Sequence, residues 1–158
     1  SVVREGIVDV RRSLNKMRPG ALENHTLKEA IKKMLDEYQE LSHLKIELNY
    51  EWDDVDFDKT REDTIFRIIQ ESLTNSLRHG RATEVQLTML NKDNYILLIQ
   101  DNGIGNETIQ YGFGLTQMKE RLAIIGGHVQ FSGSDGFKTL VHIPKLEGEE
   151  NDKGTNCR

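Results

Sequence analysis

Two stretches decide how this chain reads: Glu71-Ser-Leu-Thr-Asn75-Ser-Leu-Arg78-His79 and, about thirty residues after its start, Asp101-Asn-Gly103-Ile-Gly105. The first sits inside a helical pattern over 60–79. On a wheel of about 100° per residue, Glu71, Asn75, Arg78 and His79 fall in one sector of roughly 100°. Ile65, Phe66, Ile69, Leu73 and Leu77 fall on the other side and read as core. Taken alone, this polar sector equally fits an ordinary solvated face.

The second stretch follows a buried strand, Tyr95 to Gln100, and puts a carboxylate at its end. The glycines beyond permit positive φ and the close approach of a ligand. Asn-Gly is also a plain hairpin signal. A third cluster, Gly112-Phe-Gly114-Leu115, directly precedes a helix whose first N–H groups can cradle phosphate. Each is weak alone; the three in this order point to a nucleotide site.

Working outward, Thr26-Leu-Lys-Glu29 is a capping box. It opens a helix to about Ser42 with Leu27, Ile31, Met34, Leu35, Tyr38 and Leu41 inward. Lys45 to Tyr50 alternates as a strand, and Asp53, Asp54, Asp56 and Asp58 read as an exposed acidic turn with no glycine-pivoted calcium loop. Val85, Leu87 and Met89 alternate as a strand joined to Tyr95–Gln100 by a hairpin at Asn91 to Asn94. A helix from about Leu115 to Ile125 stops at Gly126-Gly127. Strands at 128–132 and 138–143 follow. Blocks of helix and mostly antiparallel strand indicate α+β, with a mixed sheet covered on one face by helices.

Upstream, Val3, Ile7, Val10, Leu14 and Met17 step by four and three, as in the seam of a helix bundle, until Pro19-Gly20. The expected division is therefore 1–20 as a bundle helix, 21–145 as the main domain and 146–158 as a polar, disordered tail. The chain opens on Ser1 within this stripe and reads as a fragment. Of 158 residues, 30% are charged and the net charge is −5. That balance speaks against nucleic-acid binding, which needs clustered Lys and Arg. No run approaches the ~18 apolar residues of a membrane span. The one cysteine, Cys157, allows no disulfide framework and fits a reducing compartment.

Glu71-x-x-x-Asn75 resembles the N box of the Bergerat (GHKL) ATP-binding fold. Asp101-x-Gly103-x-Gly105 resembles its G1 box, and Gly112-x-Gly114-Leu115 its G2 box. Asn75-Ser-Leu-Arg78-His79 and Gly114-Leu-Thr-Gln-Met118-Lys-Glu-Arg121 look like a sensor histidine kinase of two-component signalling. The short spacer from Gly105 to Gly112 resembles the subfamily that pairs with helix-turn-helix response regulators. The resemblance covers about residues 2–145.

It implies a two-layer sandwich that binds ATP and Mg²⁺, with an extra N-terminal bundle helix. Asn75 would hold Mg²⁺ through its amide oxygen. Arg78, where the family often has Lys, would contact phosphate, with His79 beside it at the nucleotide. Asp101 would accept the adenine amino hydrogens and reject guanine. Gly103 and Gly105 would let a lid hinge; Gly112, Gly114 and Leu115 would border the phosphates. Thr139 would support Asp101. Glu71 would orient or deprotonate the nucleophile.

The pattern departs from the family in one respect. Such kinases phosphorylate a histidine followed by an acidic residue, whereas the five histidines here precede Thr, Leu, Gly, Val and Ile. The stripe at 2–18 resembles the second helix of the phosphoacceptor hairpin, so the acceptor is expected outside this chain. The implied partners are the protein's own dimerisation helices, in a homodimer, and a response regulator. A cytoplasmic domain of a membrane-anchored sensor is the expected setting. The alternatives are an ATPase resembling Hsp90, MutL or gyrase, and an anti-sigma-factor serine kinase.

Overall fold

The computed structural model describes residues 25–78, 81–104 and 113–149. The expected bundle helix, His79, Gly105, Gly112 and the chain beyond 149 lie outside the described residues. Helix α1, Leu27–Ser42, starts on the capping box read from the sequence. Thr26 Oγ1 accepts from Glu29 N at 3.2 Å, and Glu29 Oε1 accepts from Thr26 N at 3.3 Å. It stops where His43 turns left-handed at φ 60°, its N–H bonded to Gln39 O.

Strand β1, Lys45–Tyr50, leads through the acidic turn to helix α2, Lys59–Arg78. Asp58 caps α2, its Oδ1 accepting from Arg61 N at 2.8 Å, which gives one acidic side chain of that turn a structural task. Asp53 takes another, pairing with Lys28 at 2.8 Å. Strands β2, Glu84–Asn91, and β3, Tyr95–Asp101, form the expected hairpin. Helix α3, Phe113–Ile124, ends at Gly126, whose φ of 74° suits glycine. Strands β4, His128–Ser132, and β5, Lys138–Ile143, complete the sheet.

The sheet runs β1-β2-β3-β5-β4, with β1 and β2 parallel and every other pair antiparallel. One face is dry: Val85, Leu87, Met89, Leu97, Ile99, Val141 and Ile143 are all at most 2% exposed. The opposite face carries exposed or half-exposed Glu84, Gln86, Thr88, Leu98 and Gln100. Helix α2 lays Ile65, Phe66, Ile69 and Leu73 on the dry face, each contributing roughly 1.5–3 kcal/mol of burial. The result is the α+β, mixed-sheet architecture that the residue pattern indicates.

Three expectations shift. Leu41 is not inward but 51% exposed, because the helix ends one turn past buried Tyr38; Ala30 fills the inward arc instead. The buried arc of α2 is also wider than the wheel gave, taking in Ile68, Gln70, Ser72, Thr74 and Ser76. Residues 146–149, assigned to a disordered tail, instead form a turn that closes onto α2. Glu149 binds Arg61 through two oxygens at 2.7 and 2.8 Å. Arg61 is only 5% exposed at its side chain, so the pair holds that segment down. Hydrogen bonding to Arg61 keeps the Glu149 carboxyl below its ordinary range.

Candidate nucleotide site

Asp101 is the last residue of β3 and is 5% exposed. A buried carboxylate needs donors, and three converge on it. Ser76 Oγ donates to Oδ2 at 2.7 Å. The backbone N–H groups of Gly103 and Phe137 donate to Oδ1 at 3.0 and 2.9 Å. An ionised carboxylate offers about four acceptor positions. Among the described residues Oδ1 takes two bonds and Oδ2 one, so Oδ2 retains acceptor capacity for a further N–H.

The surroundings fix this group in place. Asp101 N donates to Phe137 O at 2.9 Å, so Phe137, just before strand β5, clamps both its backbone and its side chain. Gly136 approaches so closely that a Cβ there would collide with the Asp101 carbonyl oxygen, and its φ of 68° independently favours glycine. Asn102 ties the strand end down. Its Oδ1 accepts from Thr83 N and Glu84 N, both at 2.9 Å. The Asn-Gly pair thus serves more than a turn: Asn102 braces β2, and Gly103 donates to Asp101.

Helix α2 supplies the other wall. Glu71 and Asn75 are half-buried, and Arg78 at the helix end is exposed. They lie one turn apart along the polar sector that the wheel gave. Glu71 packs against the start of α3: a Cβ on Gly114 would collide with Glu71 Oε1. Any larger residue at that position would push the Glu71 carboxylate aside. Leu115 is buried at 8% exposure and seats α3 on the core. Thr139, 2% exposed, pairs with Ile99 across β5 and β3, one step along the same sheet face as Asp101.

The structure therefore brings Asp101, Gly103 and Thr139 to one end of the sheet, with Glu71, Asn75 and Gly114 along the neighbouring helices. His79, Gly105 and Gly112 lie outside the described residues. The sequence reading missed Ser76, Gly136 and Phe137. Ser76 sits on the sheet-facing side of α2, and its one signal was adjacency to Asn75. Phe137 acts through its backbone, which leaves no mark on its identity.

Residues 60–150 match the family described as histidine kinase-, DNA gyrase B- and HSP90-like ATPase. The chain belongs to that family. It is 35% identical to the sensor protein VraS of Staphylococcus epidermidis over 159 aligned positions, 97% of this chain and 45% of that protein. The VraS of Staphylococcus aureus is likewise 35% identical, over 90% of this chain and 42% of that protein. The chain thus spans less than half the length of these relatives.

Among solved structures, it is similar to the histidine kinase domain of a blue-light activated histidine kinase of Erythrobacter litoralis. The TM-score is 0.70 at 17% identity, covering 87% of this chain and 74% of that one. The ATP-binding domain of PrrB from Mycobacterium tuberculosis gives a TM-score of 0.55 at 17% identity, covering 72% and 88%. These likenesses show the fold. With the family match and the sensor relatives, they make this an ATP-binding catalytic domain of the sensor histidine kinase kind.

Proposed function

We propose that the domain binds ATP with adenine at Asp101 and presents the γ-phosphoryl group to a histidine on a dimerisation helix outside this chain, for relay to a response regulator. The observation that carries the reading is the buried Asp101 carboxylate with acceptor capacity left on Oδ2. The exocyclic amine of adenine donates to a carboxylate there, whereas the guanine carbonyl would be repelled. Ser76, Gly103 and Phe137 hold the carboxylate still, so no reorganisation is needed when the base arrives.

Asn75 and Arg78 take the phosphate end, about one and two turns further along α2 than Glu71. The donor set fits a magnesium ion: a neutral amide oxygen suffices because the nucleotide phosphates bring charge, and Mg²⁺ keeps several waters. When bound, the ion would neutralise charge on the transferring group. Arg78 adds a fixed positive charge. Glu71, seated against Gly114, is positioned to orient or deprotonate the incoming nucleophile. Gly112, Gly114 and Leu115 would border the phosphates, with Gly103 and Gly105 as lid hinges and Thr139 supporting the adenine end. His79 would lie beside the nucleotide.

Phosphoryl transfer of this kind asks little covalent chemistry of the protein, so positioning and charge should carry most of the rate. The proposed partners are the protein's own dimerisation helices and a response regulator, in a homodimeric sensor anchored in a membrane. No helix among the described residues is long and apolar enough to cross one. The sensor relatives favour this reading over a water-hydrolysing clamp or an anti-sigma-factor kinase. Labelled ATP and a separately supplied histidine-bearing hairpin test it. Label on the hairpin's histidine is the expected result; steady release of inorganic phosphate with an unlabelled hairpin would point to the clamp.

A further inference from the structure

Away from Asp101, α2 and α3 border an open cleft of about 70 Å³, which shares Glu71 and Gly114 with the proposed phosphate end. Arg67, Gln70, Glu71 and Thr74 line it from α2; Gly114, Gln117, Met118 and Arg121 line it from α3. On each helix these positions share one face, so the cleft is the groove between the two helices. Gln70 and Ser76 are six residues apart, roughly 9 Å along the axis, which separates the groove from the adenine end.

The polar groups in this groove are short of acceptors. Gln70 is 95% buried, the complement of its 5% exposure, and its Nε2 has no partner among the described residues. Arg67 Nε is buried and equally unpartnered. Neither Arg67 nor Arg121 forms an ion pair among the described residues. Thr74 does not relieve them: its hydroxyl donates to Gln70 O at 2.9 Å and bonds Tyr38 Oη at 2.8 Å instead. A buried donor without an acceptor loses its hydration with nothing in return. Two such donors, the Gln70 amide and the Arg67 guanidinium, with the Arg121 guanidinium beside them, call for an oxyanion.

We propose that this groove binds an oxyanion, and that its occupant is a carboxylate side chain of a partner polypeptide. Two arginines and Glu71 leave a residual charge of +1 in the lining, which matches a monoanion. A phosphate dianion would face the Glu71 carboxylate. Ile68 and Met118 form the apolar part of the wall, where the methylene stem of an acidic side chain would rest. The volume admits about two waters' worth of ligand, enough for a carboxylate head. Arginine forks recognise carboxylates through paired N–H bonds, and the Gln70 amide adds a third donor.

The test reads the Arg67 Nε–H and Gln70 Nε2–H₂ resonances by ¹⁵N NMR. Acetate and, separately, inorganic phosphate are titrated at constant ionic strength against a chloride reference. Acetate is expected to shift both resonances saturably, with about tenfold weaker binding in Arg121→Gln as one charge-assisted contact is lost. In Arg67→Gln the Gln70 signal reports the same weakening. Phosphate binding tighter than acetate would overturn the carboxylate assignment. Resonances unmoved by either anion, or a Gln70 signal that titrates with acetate in both variants as it does in the parent, would overturn the site altogether. No nucleotide enters the experiment, so its outcome is independent of the reading at Asp101.

Discussion

Replacing Ser76 by Ala removes one hydroxyl and nothing else from the Asp101 cluster. The lost bond is a 2.7 Å, charge-assisted donation to a carboxylate that is 5% exposed, from a serine that is itself 5% exposed. Hydrogen bonds to charged groups contribute about 1.5–3 kcal/mol. Asp101 keeps its two backbone donors, and the stranded Oδ2 borders the proposed adenine space, where water can reach it. That places the loss near the lower bound, about 1.5 kcal/mol. For a domain of this size such a loss lowers the melting temperature by roughly 5 °C. Ser72, one turn earlier on α2, supplies the control. It is also 5% exposed, but its Oγ has no partner among the described residues. Ser72→Ala deletes an unsatisfied group and is expected to be neutral or stabilising. Urea denaturation of both variants beside the parent chain measures the contrast. Equal stability of Ser76→Ala and the parent, or equal losses in the two variants, would show that the Asp101 cluster does not hold this end of the domain together.

Gly136→Ala should destabilise by at least about 1–2 kcal/mol from the left-handed backbone alone, with more from collision at the Asp101 carbonyl; thermal unfolding reads this, and an unchanged midpoint contradicts the geometry. The Arg61–Glu149 pair makes a pH prediction. Because the folded Glu149 carboxyl titrates below its unfolded value, its contribution is present above the ordinary carboxylate range and lost as pH falls through the folded value. Glu149→Gln should therefore flatten the acid limb of the stability curve, and a parallel downward offset at every pH would refute the sign. Glu62 behaves oppositely. Burial, then Asp56, Asp63 and Asp58, raise its carboxyl, so Glu62→Gln should be mildly stabilising at neutral pH and lose that advantage on acidification, as read by denaturant midpoints.

The parts of this fold written in side-chain periodicity are legible in the sequence. The capping box at Thr26, the dry face of α2 and the alternation of β2 all appear where the pattern puts them, because each depends on local spacing. Asp101, Glu71 and Gly114 are likewise legible, as special residue types at fixed offsets. What escaped depends on tertiary contact. Ser76 reads as an ordinary helical serine until β3 delivers a carboxylate to it. Gly136 reads as a turn glycine, though its conformation and its contact with Asp101 both require one. Polarity alone suggested a loose end beyond Leu146; the buried guanidinium of Arg61, 88 residues distant from Glu149 in the chain, makes it a fixed turn. The unpaired donors of Arg67 and Gln70 are invisible without α3 opposite them.

The central claim is that the Asp101 carboxylate reads adenine. Titration calorimetry of the chain with ATP and with GTP, each with Mg²⁺, tests it most directly. The account predicts heat of binding for ATP and markedly weaker binding for GTP. It also predicts that Asp101→Ala costs about 1.5–3 kcal/mol of ATP affinity, from the lost charge-assisted hydrogen bond. Equal affinity for the two nucleotides, or undiminished ATP binding by a folded Asp101→Ala variant, would contradict it.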